Sequence, residues 1–201
     1  MAAGAYAGPV RPAVLAFKEH GRAELAAPLG TALALAVAAV LRGVPASEGG
    51  VVLLVPVPSS AAAVRRRGRD HVRELADAAV AELRAAGVPA VTARLLGRAP
   101  GRRVQDSAGL GAAEREANLA GRYRTLPRRP VVLPGSRVVL VDDVVTSGAT
   151  LTEATRALRD ERGAPAVGPG VPVLAAVVAA TPRRVERPVP AAAPGTFTVR
   201  R

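Results

Sequence analysis

Three nearly unbroken apolar runs constrain this chain most: "VVLLVPVP" at 51–58, "SRVVLVDD" at 136–143 and "VPVLAAVVAA" at 171–180. None alternates apolar and polar residues as a half-exposed strand does. A strand apolar on both sides must be covered on both faces, as in a parallel sheet between two helix layers. Helical patterns separate the runs. In "HVRELADAAVAELRAAG", Val72, Leu75, Ala76, Ala79, Val80 and Leu83 recur at helical spacing; Asp70 is placed to cap the start, and Gly87 and Pro89 end it. "GATLTEATRALRDERG" follows the second run with Leu151, Ala154 and Leu158 on one side. Strand, helix, strand at this spacing is a parallel crossover. The expected fold class is α/β, a mostly parallel sheet with flanking helices.

The other segments attach to that core. Residues 1–45 read as an N-terminal helical segment, with an amphipathic helix over 11–22 and an alanine-rich, mostly buried helix over 31–42. The core runs from 46 to 182. Within it, "SSAAAVRRRGRD" reads as a loop and 91–98 as one short strand. Residues 99–130 form a long polar excursion with one helical piece, "LGAAEREANLAG"; such excursions are usually functional or mobile. The tail, 183–201, is rich in Pro, Ala and Arg. No internal repeat is present.

Composition excludes several functions. Among 201 residues there is no cysteine, which rules out disulfides and thiolate zinc sites. Two histidines, His20 and His71, cannot build a histidine-rich metal centre, and His71 at a helix start reads as structural. Aromatics are 2%, so the core is aliphatic. The net charge is +12, with Lys18 the single lysine. A basic surface suits a phosphate, nucleotide or nucleic-acid partner. A general preference for Arg, Ala, Gly and Pro accounts for the same charge, and both readings stay open. No secretory signal is visible. The best membrane candidate, residues 25–41, is interrupted by Pro28 and Gly30 and reads as a buried helix. The expectation is a cytoplasmic protein without membrane insertion.

The second apolar run carries the chemistry. It ends in Asp142 and Asp143 and continues into Thr146, Ser147, Gly148, Ala149 and Thr150. Ligands of parallel α/β sheets sit at the carboxyl ends of the strands. There the acids can accept hydrogen bonds from hydroxyls. A turn of successive backbone N–H groups opening a helix makes an anion seat. One segment thus offers acceptors for two ribose hydroxyls and donors for a 5′-phosphate. A nucleoside-triphosphate loop would need Gly-Lys-Ser/Thr, and the one lysine is followed by Glu19.

Four apolar residues, Asp-Asp, two further residues and Thr-Ser-Gly-Ala-Thr resemble the phosphoribosyl-diphosphate (PRPP) motif of type I phosphoribosyltransferases. More of the chain is similar to the competence-associated ComF family of that superfamily: "VLLVPVPSSAAAVRRRGRDHVRELA", "RRVQDSAGLGAAEREANLAGRY" and "AYAG…VLAFKEHGR". The likeness runs from about residue 6 to about residue 180. The cysteine-rich zinc segment common in that family has no counterpart here, and Asp70-His71 stands where Asn-Gln is usual.

The resemblance implies a Rossmann-like core with a hood formed by the excursion. It implies that PRPP and Mg2+ bind and that a nitrogen acceptor displaces pyrophosphate from C1. Asp142 and Asp143 would meet the ribose hydroxyls and assist magnesium, which is held mainly by substrate. Residues 146–150 would hold the 5′-phosphate. Pro58, Ser59 and Ser60, with Arg65 and Arg67, would face the pyrophosphate, and Gln105, Arg115 and Asn118 would belong to the hood. Lys18 and Tyr6 are singled out by the family likeness alone. Thr146 stands where some purine-salvage relatives carry an acid, which argues against that subclass. The alternative is a non-catalytic competence protein that binds single-stranded DNA through a basic surface or engages the competence machinery. Base stacking needs aromatics, and Tyr6, Phe17, Tyr123 and Phe197 are few.

Overall fold

A computed structural model describes residues 1–45, 50–100, 120–127, 132–160, 165–168 and 170–182. Their main sheet has five strands, in the order β1-β7-β6-β2-β3, and every pairing in it is parallel. The strands are β1 (Ala2–Ala5), β2 (Val52–Pro56), β3 (Ala90–Thr92), β6 (Arg137–Val145) and β7 (Val173–Ala180). A separate antiparallel ribbon joins β4 (Leu96–Arg98) to β5 (Tyr123–Thr125). The helices are α1 (Val10–Glu19), α2 (Ala26–Leu41), α3 (Ala61–Arg67), α4 (His71–Ala85) and α5 (Ala149–Leu158).

Alternation along the strands divides the core. On one face, Val52, Leu54, Val139, Val141, Ala176 and Val178 pack with α1, α2 and α4. On the other, Leu53, Val55, Val138 and Leu140 pack with α5 and the ribbon. This is the expected α/β sheet between helices.

In α2, Leu29, Leu33, Val37 and Leu41 are buried, and the helix packs mainly against α4 and β7. Residues Ala23–Leu41 are long and apolar enough to cross a bilayer by length and composition. Gly30 sets the approach of α2 to α4, because a Cβ there would lie 2.4 Å from the Cβ of Ala78.

Several expectations change. The segment after β2 is not a loop but α3: Ser60 caps it by accepting the Ala63 N–H at 3.1 Å, and Gly68 ends it at φ +70°. A hydroxyl cap, an alanine run and a left-handed glycine are sufficient helix signals. The single strand expected over 91–98 is two strands in two sheets, separated at Ala93–Leu95. Residues 2–5 form an edge strand hydrogen-bonded to β7, so the N-terminal segment contributes to the sheet as well as to the helices. The expected helix within 99–130, with Gln105, Arg115 and Asn118, and the tail from 183 lie outside the described residues.

Candidate active site

The acid pair sits within β6 rather than at its end. β2 stops at Pro56, opposite Val141, whereas β6 continues beside β7 through Val145. The two acids therefore lie beyond the end of one neighbouring strand while remaining paired with the other. The step between the strand ends is the floor of a cleft of about 300 Å³. Lys18, Pro58, Ser59, Ser60, Arg67, His71, Arg98, Tyr123, Asp142, Asp143 and Thr150 are among its lining residues. The cleft is at the carboxyl ends of β2 and β6, where ligands of such sheets bind.

Adjacent residues of a strand point to opposite faces, so the acids have different surroundings. Asp143 continues the Val139–Val141 face and is 3% exposed. Its Oδ2 lies 2.7 Å from Lys18 Nζ and 3.2 Å from His71 Nε2, and its Oδ1 accepts the Val144 N–H at 2.7 Å. Arg67 Nη1 approaches His71 Nδ1 at 3.5 Å. A guanidinium has no lone pair to offer, so Nδ1 is the acceptor there and Nε2 carries the proton donated to Asp143. Burial alone would raise the Asp143 carboxyl, but the His71 hydrogen bond and the Lys18 ammonium outweigh it and hold it well below the usual range.

Asp142 is on the Val138–Leu140 face and half-buried. Its Oδ1 accepts the Asp143 N–H at 2.9 Å, and no second donor to its carboxylate is present among the described residues. Burial, followed by the neighbouring Asp143 charge, pushes it upward toward its neutral form. The pair thus joins one firmly ionised acid to one that resists ionisation until a cation or donor arrives.

The segment expected to seat the 5′-phosphate leads into α5. Gly148 adopts φ +85° immediately before the helix, and a Cβ there would meet the left-handed penalty. Thr146 and Ser147 are exposed, Gly148 and Ala149 are half-buried, and Thr150 reaches the cleft wall. Opposite them, Pro58, Ser59 and Ser60 form the wall between β2 and α3. The two proposed arginines separate here. Arg67 lines the cleft, with Nη2 and Nε at 2.8 and 3.3 Å from the Glu19 carboxylate. Arg65 is exposed and is not among the lining residues.

Some contributors had no clear signal in the sequence. Arg98 lies on the ribbon with its guanidinium 5.7 Å from the centroid of the Tyr123 ring, and both line the cleft. Glu153 of α5 is buried, accepts the Gly121 N–H at 2.6 Å and pairs with Arg156 at 2.7 Å, which ties the ribbon to the helix. His71 was expected to be structural; it does pack on Phe17, but it also supports the acid. Asp70 caps α4 by accepting the Arg73 N–H, as the sequence predicts.

The family model described as the phosphoribosyl transferase domain matches residues 62–189. No curated protein matches the chain. Among solved structures, it is similar to the hypoxanthine-guanine phosphoribosyl transferase of L. donovani at 19% identity and a TM-score of 0.40, over 82% of this chain and 76% of that one. With more than half of its residues matched and a parallel α/β core around the acid pair, the chain belongs to the phosphoribosyl transferase domain family, within the type I superfamily.

Proposed function

We propose that the cleft binds PRPP together with Mg2+, and that the protein transfers the phosphoribosyl group to an unidentified nitrogen acceptor with release of pyrophosphate, as a ComF-type member of the superfamily. The observation that carries this reading is the meeting of Asp142, Thr150 and the Pro58–Ser60 wall in one cleft at the strand ends. Acceptors for hydroxyls and donors for a phosphate converge there from two crossover connections.

In the reaction, the bond from C1 to the pyrophosphate oxygen breaks and a C1–N bond forms. The electron pair leaves with pyrophosphate, and the acceptor nitrogen gives up its proton. The chain's task is orientation and electrostatics. Asp142 accepts ribose hydroxyls, the N–H groups and hydroxyls of 146–150 hold the 5′-phosphate, and Ser59 and Ser60 face the pyrophosphate. Gln105, Arg115 and Asn118 are assigned to the hood that keeps water away. The cleft fits a magnesium ion carried mainly by substrate oxygens, since Asp142 presents a carboxylate with spare acceptor capacity. Magnesium, when bound, supplies positive charge beside the leaving pyrophosphate. Thr146 offers no general base at its position, so the acceptor is proposed to lie outside the purine-salvage class that uses an acid there.

Calorimetry with PRPP and magnesium tests the reading. Wild-type protein should bind, and Asp142→Asn should not; a wild-type protein that shows no heat or thermal shift at millimolar PRPP overturns it. A second reading, a non-catalytic competence protein acting on single-stranded DNA, has the +12 charge and the exposed Arg65 and Arg66 on its side. That contact would be through phosphates and steeply salt-dependent. Binding lost by physiological salt would eliminate it.

A further inference from the structure

We infer that Lys18 is a substrate-binding residue of the cleft, fixed in place by Asp143, and that its ammonium meets the pyrophosphate group of the bound substrate. The inference rests on the reading of the cleft as a PRPP site. It also separates the two acids, leaving Asp142 to meet the sugar and making Asp143 a positioning residue that acts through Lys18.

The geometry carries it. Asp143 is largely committed: Lys18 and His71 share Oδ2, the Val144 N–H takes Oδ1, and the residue is 3% exposed. Little of its acceptor capacity is left for a ribose hydroxyl. Lys18 is in the opposite condition. An ammonium has three donors. One is directed at Asp143, the side chain is 30% exposed, and the residue lines the cleft. Its remaining donors have no partner among the described residues.

The same cleft is lined by Ser59 and Ser60, the segment assigned to the pyrophosphate. Two other cations line the cleft: Arg67 has Nε and Nη2 on Glu19 and Nη1 against His71, and Arg98 lies over the Tyr123 ring. Lys18 differs from both in being anchored on the acid pair itself, through Asp143, with its other donors uncommitted among the described residues. It comes from α1, outside the stretch matched by the family model, so the N-terminal segment completes the site. Negative charge grows on the pyrophosphate as it leaves, and a cation held at that place stabilises departure more than binding.

The competing explanation is that Lys18 is only the counter-ion of a buried acid. Calorimetric titrations of wild type, Lys18→Met and Lys18→Arg with magnesium pyrophosphate and, separately, ribose 5-phosphate distinguish the two. Lys18→Met should weaken pyrophosphate binding about 10- to 100-fold, the usual worth of a charged hydrogen bond, while ribose 5-phosphate changes less than about twofold. Lys18→Arg, which keeps a cation beside Asp143, should recover part of the loss. The ratio of the two affinities does not depend on the fraction of folded protein, so partial unfolding of Lys18→Met cannot imitate the result. Equal weakening of both ligands, or no weakening of either, overturns the assignment of Lys18. A wild-type protein that binds neither ligand nor PRPP overturns the PRPP reading itself.

Discussion

Lys18 Nζ of α1 lies 2.7 Å from Oδ2 of Asp143 in β6, so the N-terminal segment and the acid pair form one electrostatic unit. From there the network continues through His71 and Arg67 to Glu19, with an acid at either side of the His71–Arg67 pair.

The two acids should respond oppositely to amide substitution. Asp142→Asn should abolish PRPP binding yet melt no lower than wild type at pH 7, because the site already resists ionisation of that side chain. Asp143→Asn breaks a buried pairing and should cost about 3 kcal/mol. At roughly 2–4 °C per kcal/mol for a chain of this size, the melting temperature should fall by about 6–12 °C. Scanning calorimetry of both variants, alongside ligand titration, checks the contrast.

Gly30→Ala should destabilise the fold, although alanine is the better helix former. The added Cβ would lie 2.4 Å from Ala78 Cβ and 3.1 Å from the backbone carbon of the same residue. Overpacking of this kind costs about 1–3 kcal/mol. Chemical denaturation should show the loss, and Gly30→Ala with Ala78→Gly should recover most of it.

Ser60→Ala removes the acceptor for the Ala63 N–H and should cost about 1 kcal/mol, a large share of what holds a helix as short as α3. Fraying of α3 would also loosen Arg67. Amide exchange should accelerate at Ala63 and Val64 with little change in α4.

Glu19 gives a pH dependence with a definite sign. The Arg67 hydrogen bond holds its carboxyl below the ordinary 4.5, against a smaller opposing effect of burial. A depressed acid contributes stability that is present above the unfolded value and lost as pH falls through the folded one. Glu19→Gln should therefore melt slightly below wild type at pH 7, by less than about 1 kcal/mol for a pair this exposed. The difference should close below pH 4.5.

Glu153→Ala should release the ribbon from α5 by freeing the Gly121 N–H. Exchange protection at Gly121 should fall while β6 and β7 keep theirs. Unchanged protection at Gly121 would show that packing of Tyr123 alone holds the ribbon.

The parallel sheet was legible in the sequence because strands apolar on both faces admit few other arrangements. Val138–Val141, Val52–Val55 and Ala176–Ala179 are buried as their composition demands. The turn into α5 was legible too, since a glycine before a helix and a cluster of hydroxyls are local features that do not depend on distant residues. α3 was readable from Ser60 and Gly68, but the arginines obscured it. What the local pattern could not supply was the division of labour within the acid pair. Adjacency in the chain suggests two like groups with one task, whereas the pleat of β6 turns them to opposite faces. Which face holds Lys18 and His71 depends on how α1 and α4 pack across the sheet. Only the tertiary structure decided that, because an ion pair between residues far apart in sequence exists only where burial brings them within a few ångströms.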